Sequence, residues 1–126
     1  MGSLKELKIV IADDSKAISN LLSITLSKVE GLRIVGVAVN GVEALAMVRE
    51  SAPHVLILDI SMPLKDGITV LEELRAEDTA TVVVVFTADQ SPLARKVCMD
   101  FGANYFLDKS EIVELIEICS LHLLAL

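Results

Sequence analysis

The stretch Leu7-Lys8-Ile9-Val10-Ile11-Ala12-Asp13-Asp14-Ser15 decides the fold: an apolar run that stops on two adjacent acids. It has counterparts along the chain. His54-Val55-Leu56-Ile57-Leu58 stops on Asp59, and Thr81-Val82-Val83-Val84-Val85-Phe86 stops on Thr87. Ala103-Asn104-Tyr105-Phe106-Leu107 is followed, after Asp108, by Lys109. Short apolar runs bounded by polar residues suit strands buried on both faces, as parallel central strands are. If the runs are parallel strands, Asp13, Asp14, Asp59, Thr87 and Lys109 gather at one edge of one sheet. Open parallel sheets take their ligands there, outside the carboxyl ends of the strands.

The segments between the runs carry helical periodicity. Residues 15–29 place Ile18, Leu21, Leu22, Thr25, Leu26 and Val29 on one stripe, and Gly31 ends that helix as a left-handed cap would. Residues 32–39 read as a second strand. Asn40, with Glu43 three residues on, forms a capping box for a helix reaching about residue 51, with Val42, Leu45, Ala46 and Val48 on its apolar side. A loop holding Met62-Pro63 and Asp66-Gly67 precedes a third helix over residues 68–76, with Ile68, Leu71 and Leu74 inward. Ser91-Pro92 opens a fourth helix, because proline suits the first helical position, and Gly102 ends it. A last helix starts near residue 110. Strand and helix thus alternate five times. With right-handed crossovers this predicts an α/β, three-layer, doubly wound (βα)5 sandwich around a parallel five-stranded sheet. No linker or repeat interrupts residues 1–126, so one domain is expected. Met1-Gly2-Ser3 is compatible with a cloning scar.

Composition narrows the function. The chain is 53% apolar but only 3% aromatic, so its core must be aliphatic. A net charge of −7 argues against direct nucleic-acid binding, which needs basic surface to neutralise phosphates. Cys98 and Cys119 lack Cys-x-x-Cys spacing and are expected to be buried reduced thiols. No apolar stretch approaches the ~20 residues of a membrane span. Lys5, Glu6 and Lys8 interrupt any signal-like segment, so the cytoplasm is the expected compartment.

The clustered polar residues suit a divalent metal and a phosphoryl group. Each has an ordinary alternative. Paired acids can favour the positive end of a helix dipole, Asp59 can be the first polar residue of a loop, Lys109 can be solvated, and Thr87 can be a satisfied strand hydroxyl. Their joint order along the strands points further. Magnesium takes one or two carboxylates and leaves positions for water and phosphate oxygens, a partial shell that Asp13, Asp14 and Asp59 can supply. A carboxylate can act as a nucleophile toward phosphorus, and a metal offsets the charge on both partners. The Lys109 ammonium can deliver a point charge to phosphate.

At these residues the chain resembles a response-regulator receiver domain of two-component signalling, the chemotaxis-type fold. The resemblance is carried by Ile11-Ala12-Asp13-Asp14-Ser15, Asn40-Gly41-Val42-Glu43-Ala44-Leu45, Leu58-Asp59-Ile60-Ser61-Met62-Pro63-Leu64-Lys65-Asp66-Gly67, Phe86-Thr87-Ala88 and Asp108-Lys109. It implies strand order 2-1-3-4-5. It implies Asp59 as phosphoacceptor, and Mg2+ held by Asp13, Asp14, Asp59 and the Ser61 main-chain carbonyl. Thr87 and Lys109 would bind phosphoryl oxygens, and Thr87 with Phe106 would form the switch. A histidine kinase or phosphotransfer protein would supply the phosphoryl group. The face made by the fourth helix, fifth strand and fifth helix would report it to an output protein or domain, or to a second copy in a homodimer. A receiver of this kind stands alone or belongs to a longer protein.

Two departures from the family pattern stand out. Ser110 follows the lysine where proline, preceded by a cis bond, is usual; a cis bond to a non-proline residue costs ~2.5–4 kcal/mol. The switch position holds Phe106 where tyrosine is common. Ser61 and Asp89, two residues after Asp59 and Thr87, occupy positions that tune phosphate lifetime in this family. Two other classes fit these residues less well. A magnesium phosphohydrolase of the haloacid type wants a second carboxylate where Ser61 stands, and a flavin carrier wants a phosphate cradle and stacking aromatics that the chain lacks.

The last helix carries more apolar surface than one face needs. Ile112, Leu115, Ile116, Cys119 and Leu123 form a core stripe, and Ile118, Leu121, Leu124 and Leu126 lie beyond it, as for a helix packed against a further partner or one that frays at its end.

Overall fold

The computed structural model describes residues 5–126; Met1-Gly2-Ser3 lie outside the described residues. The elements follow in the order β1 (Leu7–Ala12), α1 (Lys16–Ser27), β2 (Leu32–Ala38), α2 (Gly41–Ser51), β3 (Val55–Leu58), α3 (Gly67–Glu77), β4 (Val82–Thr87), α4 (Pro92–Asp100), β5 (Tyr105–Asp108) and α5 (Ile112–Leu124). The sheet order is β2-β1-β3-β4-β5, and every pairing is parallel. This is the doubly wound, flavodoxin-like arrangement expected from the sequence.

Two aliphatic cores flank the sheet. Ile9, Ile11, Ile57, Val84 and Phe86 pack with Leu22 and Leu26 of α1 and with Leu115 and Cys119 of α5. On the other face Val10, Leu56, Leu58, Val83 and Val85 pack with Leu45, Val70, Leu71, Leu74 and Cys98 of α2, α3 and α4. Neighbouring residues of a strand feed opposite cores, which is why the strands read as unbroken apolar runs rather than alternating ones.

Register aligns the strand ends. Ala12 pairs with Leu58, Leu58 with Val85, and Thr87 with Asp108. The helices start at that same edge, and α1 to α4 are each capped there by a short polar side chain, whereas α5 has no side-chain cap. Ser15 Oγ accepts from the Ile18 N–H at 3.4 Å, Asp66 Oδ1 from Thr69 at 2.9 Å and Ser91 Oγ from Ala94 at 3.1 Å. The expected cap forms, with the return bond taken one residue earlier, by Val39 rather than by the cap residue Asn40. Asn40 Oδ1 accepts from the Glu43 N–H at 2.9 Å, and Glu43 Oε1 accepts from the Val39 N–H at 3.1 Å. Gly31 has the left-handed φ of +91° expected of it.

Several details differ from the sequence expectations. On α1, Leu21 points outward, and Ser19 is buried instead, its hydroxyl donating to the Asp13 carbonyl at 3.3 Å. On α2, Val42 and Ala46 are exposed and Gly41 and Ala44 are buried. The cause is the loop before α3. A Cβ at Gly41 would lie 1.9 Å from the Lys65 carbonyl oxygen, so the loop rests directly on the first turn of α2 and turns its small residues inward. Regular β5 pairing begins at Tyr105 rather than residue 103, and it continues through Asp108. Ile118 packs against the core, whereas Leu121 and Leu124 of α5 are exposed. No helix among the described residues is long and apolar enough to cross a membrane.

Candidate functional site

Asp13 and Asp59 leave their strands while their backbones are still in the sheet. The Asp13 N–H donates to the Ala38 carbonyl at 3.0 Å, and the Asp59 N–H to the Ala12 carbonyl at 2.9 Å. Both side chains therefore start at the floor of the crevice, only 2% and 4% exposed, while Asp14 turns out to solvent. Thr87 closes β4 and is also buried. Lys109 follows β5, its N–H donating to the Thr87 carbonyl at 3.3 Å.

One ammonium ties the floor together. Lys109 Nζ lies 3.0 Å from Asp13 Oδ2 and 2.9 Å from Asp59 Oδ2. The other oxygens accept backbone donors two residues on, Asp13 Oδ1 from Ser15 at 2.8 Å and Asp59 Oδ1 from Ser61 at 3.1 Å. Buried charges need such partners, since an unpaired one is strongly destabilising. Burial pushes the Asp13 carboxyl above the ordinary value, against the opposing hydrogen bonds from Ser15 and Lys109. Burial alone would lower the Lys109 ammonium, but its bonds to Asp59 and Asp13 outweigh that and hold it above its usual value.

The donor set fits a hard divalent cation. One oxygen each from Asp13, Asp14 and Asp59 lies within 4.8 Å of the others. Three carboxylates and one ammonium leave a formal charge of −2, which such a cation balances. Hard oxygens at the edge of an open crevice are the ligands magnesium prefers. All three acids named from the sequence thus meet. Ser61 sits in the adjoining loop and contributes its N–H to Asp59.

The loops around the floor are braced closely. A Cβ at Gly67 would lie 2.4 Å from the Asp59 carbonyl oxygen, so only glycine lets α3 begin against the end of β3. Thr87 Oγ1 accepts from the Asp89 N–H at 3.3 Å. No peptide bond among the described residues is cis, so Lys109-Ser110 is trans. Asp108 Oδ1 holds the turn there by accepting from the Ser110 N–H at 2.8 Å.

Phe106 shares a sheet face with Thr87: it pairs with Val85, two residues before Thr87 on β4. Its ring is 7% exposed and lies in the core with Ala94, Cys98 and Ala103. Two further residues escaped the sequence reading. Arg95 of α4 places its Cζ 5.7 Å from the centre of the Phe106 ring. Gln90 Nε2 donates to the Thr87 carbonyl at 3.0 Å and to the Leu107 carbonyl at 3.4 Å, bridging β4 and β5. No motif signals either contact, because each depends on how α4 and its leading loop fold back over the sheet. The two thiols are free and buried as expected, and burial pushes Cys119 up to about 12.

The family model of the response regulator receiver domain matches residues 9–119, and the chain belongs to that family. Among curated proteins it is 34% identical over 104 residues to protein-glutamate methylesterase/protein-glutamine glutaminase 1 of Shewanella denitrificans. That match covers 82% of this chain and 27% of the relative, so the chain spans about a quarter of the relative's length. The receiver domain of Francisella response regulator 1452 superposes with a TM-score of 0.85 at 28% identity, covering 94% of this chain and 97% of that one. A chain of the CheX-CheY-BeF3-Mg2+ complex from Borrelia burgdorferi superposes with a TM-score of 0.79 at 27% identity, covering 87% of this chain and 86% of that one. The protein is accordingly a receiver domain of phosphorylation-dependent signalling, a family that works with histidine kinases, phosphotransfer proteins and output domains.

Proposed function

We propose that this receiver accepts a phosphoryl group from a phosphohistidine on Asp59 and reports it through the face formed by α4, β5 and α5. The observation that carries this is the Lys109 bridge. A single ammonium 2.9 Å from Asp59 and 3.0 Å from Asp13 holds a carboxylate ready at the crevice floor.

An Asp59 carboxylate oxygen attacks phosphorus, an O–P bond forms, and the N–P bond to the donor imidazole breaks. The imidazole nitrogen keeps the electron pair and takes a proton. Lys109 leaves the carboxylates and follows the charge to a phosphoryl oxygen, and the Thr87 hydroxyl donates to another. Asp13, Asp14, Asp59 and the Ser61 main-chain carbonyl would hold magnesium, which would supply neutralising charge for the carboxylate and the phosphoryl oxygens. The Borrelia complex, which contains beryllofluoride and magnesium and of which one chain shares this fold, supports the reading that a receiver of this kind works with a phosphoryl group and magnesium.

Thr87 drawn toward a phosphoryl oxygen changes the packing available to Phe106 on the same face of the sheet, and α4 senses the difference. The partner at that face is an output protein or domain, or a second copy. The acidic surface leaves direct nucleic-acid contact to such a partner. Ser61, where a phosphohydrolase would need an acid, suits a signalling domain without turnover of outside esters. Residues 1–126 act as one receiver unit in the cytoplasm. Acetyl phosphate with magnesium adds one phosphoryl mass to the wild type and none to Asp59→Asn. Equal labelling of both proteins would overturn the assignment.

A further inference from the structure

Arg95 is exposed, and among the described residues it makes no ion pair. Its guanidinium nevertheless sits 5.7 Å from the centre of the Phe106 ring, inside the range of a cation–π attraction. The neighbours of Arg95 on α4 explain the placement. Ala94 and Cys98 face the core beside Phe106, so the next side chain round the helix lies over the ring's outer side. Ala94 and Ala103, both small, are buried in the same cluster as the ring. Phenylalanine has no hydroxyl to draw it back to water. The ring is therefore buried with the Lys109 ammonium still on Asp59 and Asp13, and with the Thr87 hydroxyl held by the Asp89 N–H.

We propose that Arg95 is a positioning residue that latches the Phe106 ring inward before any phosphoryl group arrives, so that this receiver rests with its α4–β5–α5 face already biased toward the phosphorylated arrangement. The proposal rests on the phosphoacceptor role of Asp59 and the switch role of Phe106 given above. It adds what sets the resting position of that switch. A tyrosine at the same site would divide its preference between the core and water. Phe106 under Arg95 has its preference set by packing and by a cation that the solvent side supplies. A partly exposed contact of this kind is worth a factor of about two to five in a two-state equilibrium. Because coupling is reciprocal, a residue that favours the ring-in state also tightens binding of a phosphoryl mimic that favours the same state.

The test labels the three phenylalanines with 4-fluorophenylalanine and assigns the Phe106 signal by its loss in Phe106→Leu. Beryllofluoride with magnesium is the probe. In the wild type a single ring-in resonance is expected, which the probe shifts slightly as Thr87 moves but does not replace with a second one. In Arg95→Ala and Arg95→Gln it should move toward a second position and return when the probe binds. In both variants the probe should bind only slightly more weakly, by less than the two- to fivefold change in the ring equilibrium, because most of the ring stays inward. Arg95→Lys keeps a cation over the ring and should stay close to the wild type, an outcome that loss of α4 packing alone would not give. A wild-type ring that already exchanges between two positions, or that ignores Arg95→Ala, overturns the latch. Failure of beryllofluoride to bind the wild type, or binding that survives Asp59→Asn, would instead overturn the phosphoacceptor role.

Discussion

Replacing Lys109 with methionine tests the electrostatics of the crevice floor. The substitution keeps most of the side-chain volume and removes the charge. The ammonium touches Asp13 and Asp59 at 3.0 and 2.9 Å, and the two carboxylate side chains are only 3% and 4% exposed. At an effective dielectric constant of about 20, each contact is worth roughly 5 kcal/mol before desolvation. Desolvation cancels most of that, and removing one partner of a buried pair costs about 3–5 kcal/mol. With the Lys109 side chain 21% exposed, water relieves part of the loss, and about 3 kcal/mol is expected at neutral pH without magnesium.

The pH dependence of that loss has a definite sign. Lys109 is held above its usual value, so its contribution is complete below about 10.4 and fades as pH rises through its raised folded value. Asp13 is already held above the ordinary carboxyl value by burial. Without Lys109 it rises further, so the folded variant binds a proton more readily than the unfolded chain. The deficit should therefore shrink as pH falls through that raised value and vanish below about 3.9. Magnesium should restore much of the loss at neutral pH by taking the place of the ammonium. Urea unfolding at several pH values, with and without magnesium, is the assay. A Lys109→Met protein as stable as the wild type at neutral pH without magnesium would refute the view that the ammonium holds the two acids together.

Asp14→Ala should weaken magnesium binding, read by calorimetry, while changing the stability of the metal-free protein little, because Asp14 faces solvent; unaltered binding would remove it from the ligand set. Leu64 sits 82% exposed at a left-handed φ of +66°, so Leu64→Asn should raise stability by roughly 1 kcal/mol in urea unfolding, and no gain would mean that the strain is released elsewhere.

The legible parts of the molecule were those written in local pattern. Val83, Val84 and Val85 read as strand because branched side chains on both faces of a buried sheet leave no other period. Asp13, Asp59, Thr87 and Lys109 could be gathered in advance because register follows once parallel strands stop together. Asp13 and Asp14 are adjacent acids with identical chemistry, and only the backbone path leaving β1 decides that one is buried and the other exposed. The outward turn of Val42 was equally hidden. It depends on Lys65, far along the chain, pressing on Gly41. The position of Arg95 over Phe106 depends on the docking of α4 and has no sequence signature.

The packing at the start of α2 also bears on chemical ageing. Asn40 precedes Gly41, the pairing in which an asparagine side chain most readily cyclises onto the following backbone nitrogen. In the folded chain Asn40 Oδ1 is engaged by the Glu43 N–H at 2.9 Å, and Gly41 is pinned against the Lys65 carbonyl, so neither group rotates freely into the ring-closing geometry. Spontaneous deamidation at this bond is thereby tied to unfolding, and storage conditions that favour transient opening set its pace. Conversion to aspartate would leave a competent cap with one more negative charge, whereas the isomerised backbone would lengthen the chain just where the loop before α3 leaves no room for it.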